Sequence, residues 1–307
     1  MNRVQIQGKL CGFSHGFQED GLLRQSMNQL TQAVYRFDFE DWHQSGRWKP
    51  EDCCPYALFE GEQAVSLLTA NLIPFCWQGK PQRLLQLGTV CTLPEYRGRG
   101  LSRFLIEQVL RDWENRCGMI YLFASDSVLE FYPKFGFEPA KEFHAVRPIP
   151  QADGPACRRL HPENSSDFQL ISEHAASAFP QFQLSMQASW LAEFYARYFP
   201  PAGLGNSFYY FPELDAVACA KAEGDTLLFY DLFAPNPVPI LSLLPGLCTA
   251  LEAKHPIRQV DCQVFPEDLT GWEIRLFREG DRTLFLKGPL AENWKKHPLI
   301  FPLLSLT

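Results

Sequence analysis

The sequence contains no uninterrupted apolar run of about 18 residues, the length that a membrane-spanning helix needs. It also has no surplus of positive charge, since 28 Lys and Arg residues stand against 35 Asp and Glu residues, for a net charge of −7. Residues 1–7 lack the apolar core of a signal peptide. We therefore expect a cytoplasmic protein with no membrane or nucleic-acid partner.

Cysteine spacings typical of metal sites and redox pairs are absent too. The ten cysteines include no CxxC pair and no CxxC…HxxxH pattern, and adjacent Cys53 and Cys54 suit neither chelation nor easy disulfide closure. We interpret the cysteines as reduced thiols and expect no metal site. The chain also lacks the Gly-x-x-x-x-Gly-Lys-Ser/Thr signature, and Arg103 stands where a Rossmann fingerprint needs its third glycine.

The length of 307 residues exceeds that of one ordinary core and predicts two domains of roughly 150 residues each. Hydrophobic residues make up 46% of the chain, as in soluble globular proteins. Residues 148–155 shift to proline, glycine and polar residues, which is typical of a linker. We place the boundary there, with domains at 1–150 and 151–307.

Hydrophobic periodicity in the first half predicts an α/β fold with a mixed sheet. The predicted helices and strands are residues 4–10, 19–37, 56–59, 64–75, 84–93, 100–116, 119–124, 128–134 and 142–147. The short apolar run 119–124 predicts a buried strand parallel to its predecessor. An antiparallel meander thus leads into the turn at 94–100.

That turn has the properties of a phosphate site. Gly98 and Gly100 allow strained backbone conformations and close approach to a ligand. The first amides of the following helix lack intrahelical partners, and with the helix dipole they suit an anion. Arg97, Arg99 and Arg103 add positive charge nearby. The turn therefore predicts a site for a phosphate-bearing ligand.

Two motifs in order resemble the GNAT N-acetyltransferase superfamily. Its Arg/Gln-x-x-Gly-x-Gly/Ala turn corresponds to residues 97–102, where Ser102 replaces the usual Gly or Ala. Its aromatic-Tyr-x-Lys-x-Gly-Phe stretch corresponds to residues 131–137, which include Tyr132. The signature-level resemblance covers about residues 84–137.

The resemblance implies that acetyl-CoA, as acyl donor, lies where strands 84–93 and 119–124 separate. The implied donor-binding residues are Val90, Cys91, Thr92, Arg97, Gly98, Arg99, Gly100, Leu101, Ser102 and Arg103. Direct transfer to an amine expels a thiolate, and Tyr132 is implied as the acid that protonates it. The alternative is a tyrosine that packs and hydrogen-bonds CoA. Cys91 we interpret as inert packing and not as a nucleophile.

The general base is not identified by the sequence. The connection that commonly shapes the acceptor pocket in this superfamily contains Asp38, Glu40, Asp41 and His43, but a solvated acidic loop explains them equally well. A water chain would also serve. In some tandem members the C-terminal carboxylate is the base, and Thr307 would then take that role.

The second half repeats the order of the first. Its predicted elements are residues 158–160, 162–179, 184–199, 207–211, 216–222, 226–233, 238–254, 257–265 and 283–287. At the corresponding junction, residues 234–239 contain three prolines, which remove amide donors. We infer a degenerate GNAT-like domain that does not bind CoA and helps to wall the acceptor site, similar to N-myristoyltransferases and some bacterial two-domain acetyltransferases. The apolar residues 298–307 should be docked.

The leading interpretation is an enzyme that moves an acetyl group from acetyl-CoA to an amine on a small molecule, peptide or protein. One alternative is a CoA-sensing module that has lost transfer. Another is a transferase for a longer acyl chain. A homodimer is compatible with the sequence, which does not identify the acceptor.

Overall fold

A computed structural model describes residues 1–149, 153–251, 255–278 and 280–306. Within these residues the chain forms two mixed sheets, one of nine strands and one of seven. The strands are β1 (Asn2–Ile6), β2 (Lys9–His15), β3 (Cys53–Glu60), β4 (Gln63–Trp77), β5 (Lys80–Thr92), β6 (Met119–Ala124), β7 (Glu138–Ala140), β8 (Glu142–Pro148), β9 (Arg158–Arg159), β10 (Leu184–Met186), β11 (Phe208–Phe211), β12 (Ala216–Glu223), β13 (Thr226–Phe233), β14 (Gln259–Cys262), β15 (Glu273–Phe277) and β16 (Thr283–Lys287).

Helices cover both sheets. They are α1 (Gly21–Tyr35), α2 (Glu40–Gln44), α3 (Leu101–Trp113), α4 (Ser165–Ala176), α5 (Ser189–Glu193), which continues as a π-helical turn (Phe194–Tyr198), α6 (Ile240–Ala250) and α7 (Ala291–Trp294). Short 3-10 turns occur at Pro94–Tyr96, Asp126–Val128, Tyr132–Phe135, Pro200–Ala202 and Leu303–Ser305. In the described residues no helix is long and apolar enough to cross a bilayer.

Each of the two sheets contains one parallel strand pair in its interior. The first runs β1-β2-β3-β4-β5-β6-β16-β7 with β10 beside β4, and the second runs β15-β8-β14-β13-β12-β11-β9. Among the described strands, the parallel pairs are β5 with β6 and β13 with β14. The predicted α/β class with mixed sheets is confirmed.

The two halves exchange strands. β8 precedes residue 150 but pairs with β14 and β15 of the second sheet. β16 lies far along the chain but pairs with β6 and β7 of the first sheet. The domain boundary between 150 and 151 falls beside residues outside the described ranges and stays a prediction, yet the sheets themselves are interlocked across it.

The core continues from one half into the other. The side chains of Leu105, Ile106 and Val109 on α3 are fully buried against the first sheet. On its opposite face, one hydrophobic cluster joins α1 and β4 to α5 and the C-terminal segment. Residues 298–306 are docked as predicted, since Phe301 stacks on Tyr121 at 3.9 Å between ring centroids.

Several predicted elements differ locally from the structure. Residues 4–10 form a hairpin instead of one strand, because Gln7 and Gly8 take positive φ values of 48° and 82°. The predicted helix 184–199 was wrong at its start, since β10 instead pairs with the end of β4. The predicted helix 128–134 is replaced by 3-10 turns, and β15 was missed. The hairpin and the 3-10 turns are made by local hydrogen bonds, whereas β10 and β15 form because the distant strands β4 and β8 supply theirs.

Candidate functional site

The cleft of the first sheet begins where its parallel pair separates. β5 and β6 are paired only from Leu84 opposite Met119 to Gln86 opposite Tyr121. Beyond them Thr89 takes a φ of 47°, and the register against β4 shifts between Leu67 and Thr69. A β-branched residue rarely adopts positive φ, so this bulge is a local distortion at the edge of the cleft.

A cavity of about 1080 Å³ occupies this cleft. Its walls include the end of β5, the Arg/Gly turn, the residues after β6, and aromatic side chains from both halves. Its volume lies at the upper end of the range usual for ligand sites, roughly 300–1,000 Å³. There is thus room for an extended ligand and a second small molecule.

The Arg/Gly turn forms one end of the cavity. Gly98 and Gly100 have φ values of 74° and 75°, which side-chain-bearing residues rarely adopt. No side chain in the described residues caps α3 at Gly100. The amides of Leu101, Ser102 and Arg103 belong to the first helical turn, so they have no partner within the helix. Backbone donors therefore face the cavity end where phosphate was predicted.

The three arginines of this turn take different positions. Arg97 and Arg103 line the cavity, whereas Arg99 lies beside a separate, smaller cavity. Arg99 packs over the Tyr96 ring at 4.7 Å and donates a hydrogen bond to the Glu95 carbonyl. The remaining donor-site residues, Val90 to Thr92 and Gly98 with Gly100 to Ser102, all line the main cavity.

Ser102, the departure from the family motif, is part of a hydroxyl chain. Its Oγ lies 2.9 Å from Thr92 Oγ1, which lies 2.8 Å from Ser66 Oγ. The chain joins the start of α3 to the ends of β4 and β5. The serine hydroxyl therefore has a structural partner whether or not it contacts a ligand.

The carbonyls at the end of β5 already accept hydrogen bonds from side chains. Val90 accepts from Tyr35 Oη at 2.8 Å, Cys91 from Ser66 Oγ at 3.1 Å, and Thr92 from Arg97 Nε at 3.2 Å. Because a carbonyl oxygen can accept two hydrogen bonds, these contacts do not prevent pairing with a ligand. They do fix the course of the strand beside the cleft.

Tyr132 lies on the cavity wall in a 3-10 turn. Its side chain is 6% exposed and packs against Phe131, Phe137 and Phe285. Burial raises the pKa of Tyr132 to about 12, because the phenolate would lose hydration. The phenol is therefore protonated at neutral pH and able to donate a proton.

Cys91 is a poor nucleophile in this environment. Its thiol is buried, and that burial raises the pKa of Cys91 to about 12. Thiolate is the reactive form, so the thiol is unreactive at neutral pH. All ten cysteines are free thiols, as predicted.

The acidic connection between α1 and β3 does not supply its acids to the cavity. Among the described residues that line the cavity, Asp38, Glu40, Asp41 and His43 do not appear. Glu40 instead binds Arg24 at 3.0 Å, and this hydrogen bond lowers the pKa of Glu40. The residues of this connection that line the cavity are Phe37, Phe39 and Trp42, and the sequence interpretation singled out none of them.

A buried polar cluster on the cavity wall was also missed. Asn71 and Gln86 are 1% and 2% exposed, and Asn71 Nδ2 donates to Gln86 Oε1 at 3.2 Å. Asn71 also donates to Thr69 Oγ1 at 3.3 Å. The available signal was two amide side chains inside otherwise apolar strands, which are costly to bury without partners.

Residues of the second half form part of the cavity wall, while their predicted role in walling an acceptor site stays a prediction. Trp190, Phe194 and Phe199 line it, and so do Arg282 and Leu306. Arg282 packs over the Phe123 ring at 4.6 Å and forms an ion pair with Glu142 at 3.5 Å. Thr307, the predicted base, lies outside the described residues, so its role stays a prediction.

Comparison with known proteins agrees with this geometry. Residues 23–140 match the family model for the acetyltransferase (GNAT) domain. No curated protein matches the chain.

Several solved structures share the fold. A conserved protein of unknown function from Enterococcus faecalis V583 has a TM-score of 0.59 at 14% identity, covering 91% of this chain and 72% of its own. A GCN5-related N-acetyltransferase from Kribbella flavida has a TM-score of 0.53 at 15% identity, covering 90% and 71%. Eis1 from Mycobacterium abscessus has a TM-score of 0.53 at 13% identity, covering 92% and 74%.

The matched segment contains both predicted motifs, the separated strands and the cavity between them. Residues 23–140 therefore belong to the acetyltransferase (GNAT) domain family, within a two-sheet chain of the same fold.

Proposed function

We propose that the protein transfers an acetyl group from acetyl-CoA to an amine. The observation that carries this proposal is one continuous cavity lined both by the Arg/Gly turn and by Tyr132. In such a cavity the phosphates of the donor would meet the first amides of α3 together with Arg97 and Arg103. The acyl group and acceptor would occupy the remainder.

The residues present fit this donor chemically. Unpaired helix amides and guanidinium groups suit a pyrophosphate, and two glycines at positive φ let the backbone approach it. The wall beyond the turn is largely apolar, as a thioester and pantetheine require. A longer acyl chain is the alternative donor, and an assay with acyl-CoA of several chain lengths distinguishes it.

The transfer step follows from amide chemistry. The amine nitrogen bonds to the acyl carbon, the carbon–sulfur bond breaks, and the sulfur leaves with its electron pair. Tyr132 gives its proton to that sulfur, which makes the free thiol. The nitrogen loses one proton to water or to a base, and the tyrosine regains a proton from solvent.

The test combines a transfer assay with a binding measurement. Free thiol is measured with acetyl-CoA and a panel of amines, beside calorimetry with CoA. We expect one CoA per chain and thiol release that depends on an amine. CoA binding with no transfer to any amine, from acetyl-CoA or from longer acyl-CoA, would favour a sensor. The absence of CoA binding would contradict the proposal outright.

A further inference from the structure

The tip of the hairpin formed by β1 and β2 packs against the start of α3. The two strands are joined by a two-residue turn at Gln7 and Gly8. A Cβ atom at Gly100, the N-cap residue of α3, would lie 3.1 Å from Gln7 Nε2 and 3.7 Å from Ile6 Cγ2. Ile6 is buried in the same hydrophobic cluster as Leu101 of α3, which holds the hairpin tip in place. A residue far from both motifs along the chain thus lies beside the turn assigned to the phosphates of the acyl donor.

The side chain of Gln7 is accessible to a ligand at this position. Gln7 is exposed, and it lines the main cavity together with Arg97, Gly98 and Gly100. In the described part of the chain its side-chain amide has no hydrogen-bond partner. The Nε2 group can therefore donate a hydrogen bond to a molecule in the cavity without breaking a contact within the protein.

The geometry of the turn alone does not account for a glutamine at this position. Gln7 and Gly8 have φ values of 48° and 82°, which is typical of the two-residue hairpin turn that favours Asn-Gly. Glutamine is not among the residues enriched at positive φ, so asparagine would form this turn more easily. The additional methylene of glutamine carries the amide farther from the turn, and here the amide lies beside the N-terminus of α3.

Positive charge lies on both sides of Gln7. Gln7 also lines a second cavity of about 160 Å³, whose lining includes Lys9 and Arg99. Of the described residues in that lining, Glu60 is acidic, and it accepts a hydrogen bond from Tyr96 Oη. On the other side lie the two arginines of the Arg/Gly turn that line the main cavity. A ligand group beside Gln7 is therefore favoured if it is negatively charged.

We propose that Gln7 is a further residue that binds the acyl donor, and that its side-chain amide donates a hydrogen bond to a phosphate oxygen of CoA. The pyrophosphate and the 3′-phosphate of CoA both present such oxygens, and the test distinguishes them. This inference rests on the proposed acyl transfer and adds to its donor site a residue from outside the two motifs. A hydrogen bond to a charged acceptor is stronger than one between neutral groups, so its loss should be measurable.

Three variants of the hairpin test this role by calorimetry with CoA. Gln7→Gly removes the amide and Gln7→Asn withdraws it by one methylene, and both new residues suit a positive φ. Gln7→Gly should raise the Kd of CoA about 10-fold, and Gln7→Asn should raise it by a similar or smaller factor. The control is Gln5→Asn, because Gln5 donates to the Gly8 carbonyl at 3.4 Å and is not among the described residues that line the main cavity. Its Kd should match that of the wild type, and denaturant melts check that each variant is folded.

A second ligand, dephospho-CoA, lacks the 3′-phosphate and identifies the group that Gln7 contacts. If Gln7→Gly loses affinity equally for CoA and dephospho-CoA, the hydrogen bond goes to the pyrophosphate. If it loses affinity for CoA alone, the hydrogen bond goes to the 3′-phosphate. In steady-state transfer, Gln7→Gly should raise KM for acetyl-CoA about 10-fold while kcat changes less than about twofold.

The outcomes separate this inference from the proposed function. A CoA affinity of Gln7→Gly within about twofold of wild type would overturn the role of Gln7 and leave the proposed acyl transfer standing. An equal loss of affinity in Gln5→Asn would overturn it too, because the effect would then come from the hairpin and not from the Gln7 amide. A wild-type protein that does not bind CoA would instead contradict the donor site itself, and the role of Gln7 with it.

Discussion

In each of the two sheets a parallel strand pair separates along its length. The space between the separated strands is an open cavity in the first sheet and is filled by the chain itself in the second. In the first sheet, the gap beyond Gln86 and Tyr121 holds the cavity. In the second, β13 and β14 are paired up to Phe229 and Cys262, and the gap beyond them is occupied by residues 179–183. The same local topology thus gives an open cleft in one sheet and a filled seam in the other.

Hydrogen bonds show how the second gap is filled. Phe179 N donates to Ala234 O at 2.7 Å, and Gln183 N donates to Phe265 O at 2.9 Å. Phe182 forms a β-bridge with Pro266 and is 3% exposed. The chain itself therefore supplies the backbone contacts that a ligand would make in an open cleft.

The N-termini of α3 and α6, which follow the two strand–helix junctions, also differ in their hydrogen bonds. At α3 the first amides have no partner within the helix and no side-chain cap among the described residues, whereas at the second junction Val238 N donates to Gln181 Oε1 at 2.9 Å. Pro235, Pro237 and Pro239 carry no amide hydrogen. The two junctions thus differ in the amides that they leave unpaired: the first keeps them, whereas the second has lost them to prolines and to Gln181.

The largest effect should come from Tyr132. Tyr132→Phe should lower kcat by about 10² to 10⁴-fold, because the departing sulfur loses its acid, while CoA affinity stays within about threefold. The pKa of Tyr132 is raised to about 12, so wild-type kcat should show no decline from this group between about pH 8 and 10. Steady-state kinetics and calorimetry measure both.

The control for this variant is Tyr209→Phe, which alters a buried tyrosine of the second sheet. Its kcat should match that of the wild type. A Tyr132→Phe enzyme with normal kcat would assign Tyr132 to packing alone.

The next largest difference should come from introducing a negative charge at each of the two strand–helix junctions. Gly100→Asp places a carboxylate and a side chain at a φ of 75°, so CoA affinity should fall about 100-fold, equivalent to about 2.7 kcal/mol. Asn236→Asp makes a similar charge change at the second junction and should leave affinity unaltered. Calorimetry compares the two, and equal losses would contradict the difference between the junctions.

Asp231 offers a pH test of the filled seam. It lies beyond the last parallel pair of β13, is fully buried, and accepts from Leu232 N at 2.8 Å, while its Oδ2 has no partner among the described residues. Burial raises the pKa of Asp231 to about 7. The folded protein therefore binds more protons than the unfolded chain between about pH 4 and 7, and stability should fall as pH rises through that window.

Replacing this carboxylate with an amide removes the free-energy cost of ionising a buried acid. Asp231→Asn should raise the free energy of unfolding at about pH 8 by at most about 4 kcal/mol, with little change near pH 4. Denaturant melts at both pH values measure this, with Asp225→Asn on the exposed hairpin turn as control. A gain that is equal at both pH values would show that ionisation is not the cause.

The smallest effect should come from Ser102. Ser102→Ala breaks the hydroxyl chain to Thr92 and Ser66 but leaves the backbone amide that faces the cavity. Stability should fall by about 1 kcal/mol and CoA affinity should change less than about threefold. A loss of affinity above 10-fold would instead indicate that the hydroxyl itself binds the donor.

The motif residues could be predicted from sequence because their local chemistry is self-contained. The strand 119–124, the helix after Gly100 and the positive φ values of Gly98 and Gly100 depend on neighbours within a few residues. The same holds for Tyr132, whose place follows from a short motif. The end of the cavity at the Arg/Gly turn is therefore encoded in short stretches of the chain.

The part of the cavity wall that both halves build could not be predicted in this way, because distant segments meet there. Trp42 and Trp190 meet only when the two halves pack together, and nothing near either residue in sequence indicates the other. In the sequence, the acidic residues around Trp42 were candidates for the general base. In the structure Glu40 forms an ion pair with Arg24 and does not line the cavity.

The sequence by itself determined which strand–helix junction keeps its glycines and amide hydrogens, since these are properties of the local chain. Only the tertiary structure decided which gap stays open, and which strands belong to which sheet. β8 and β16 cross between the halves, and each lies inside the sheet that it joins, β8 between β15 and β14 and β16 between β6 and β7. The filling of the second gap by residues 179–183 likewise depends on contacts some 50 to 80 positions away along the chain, at Ala234 and Phe265.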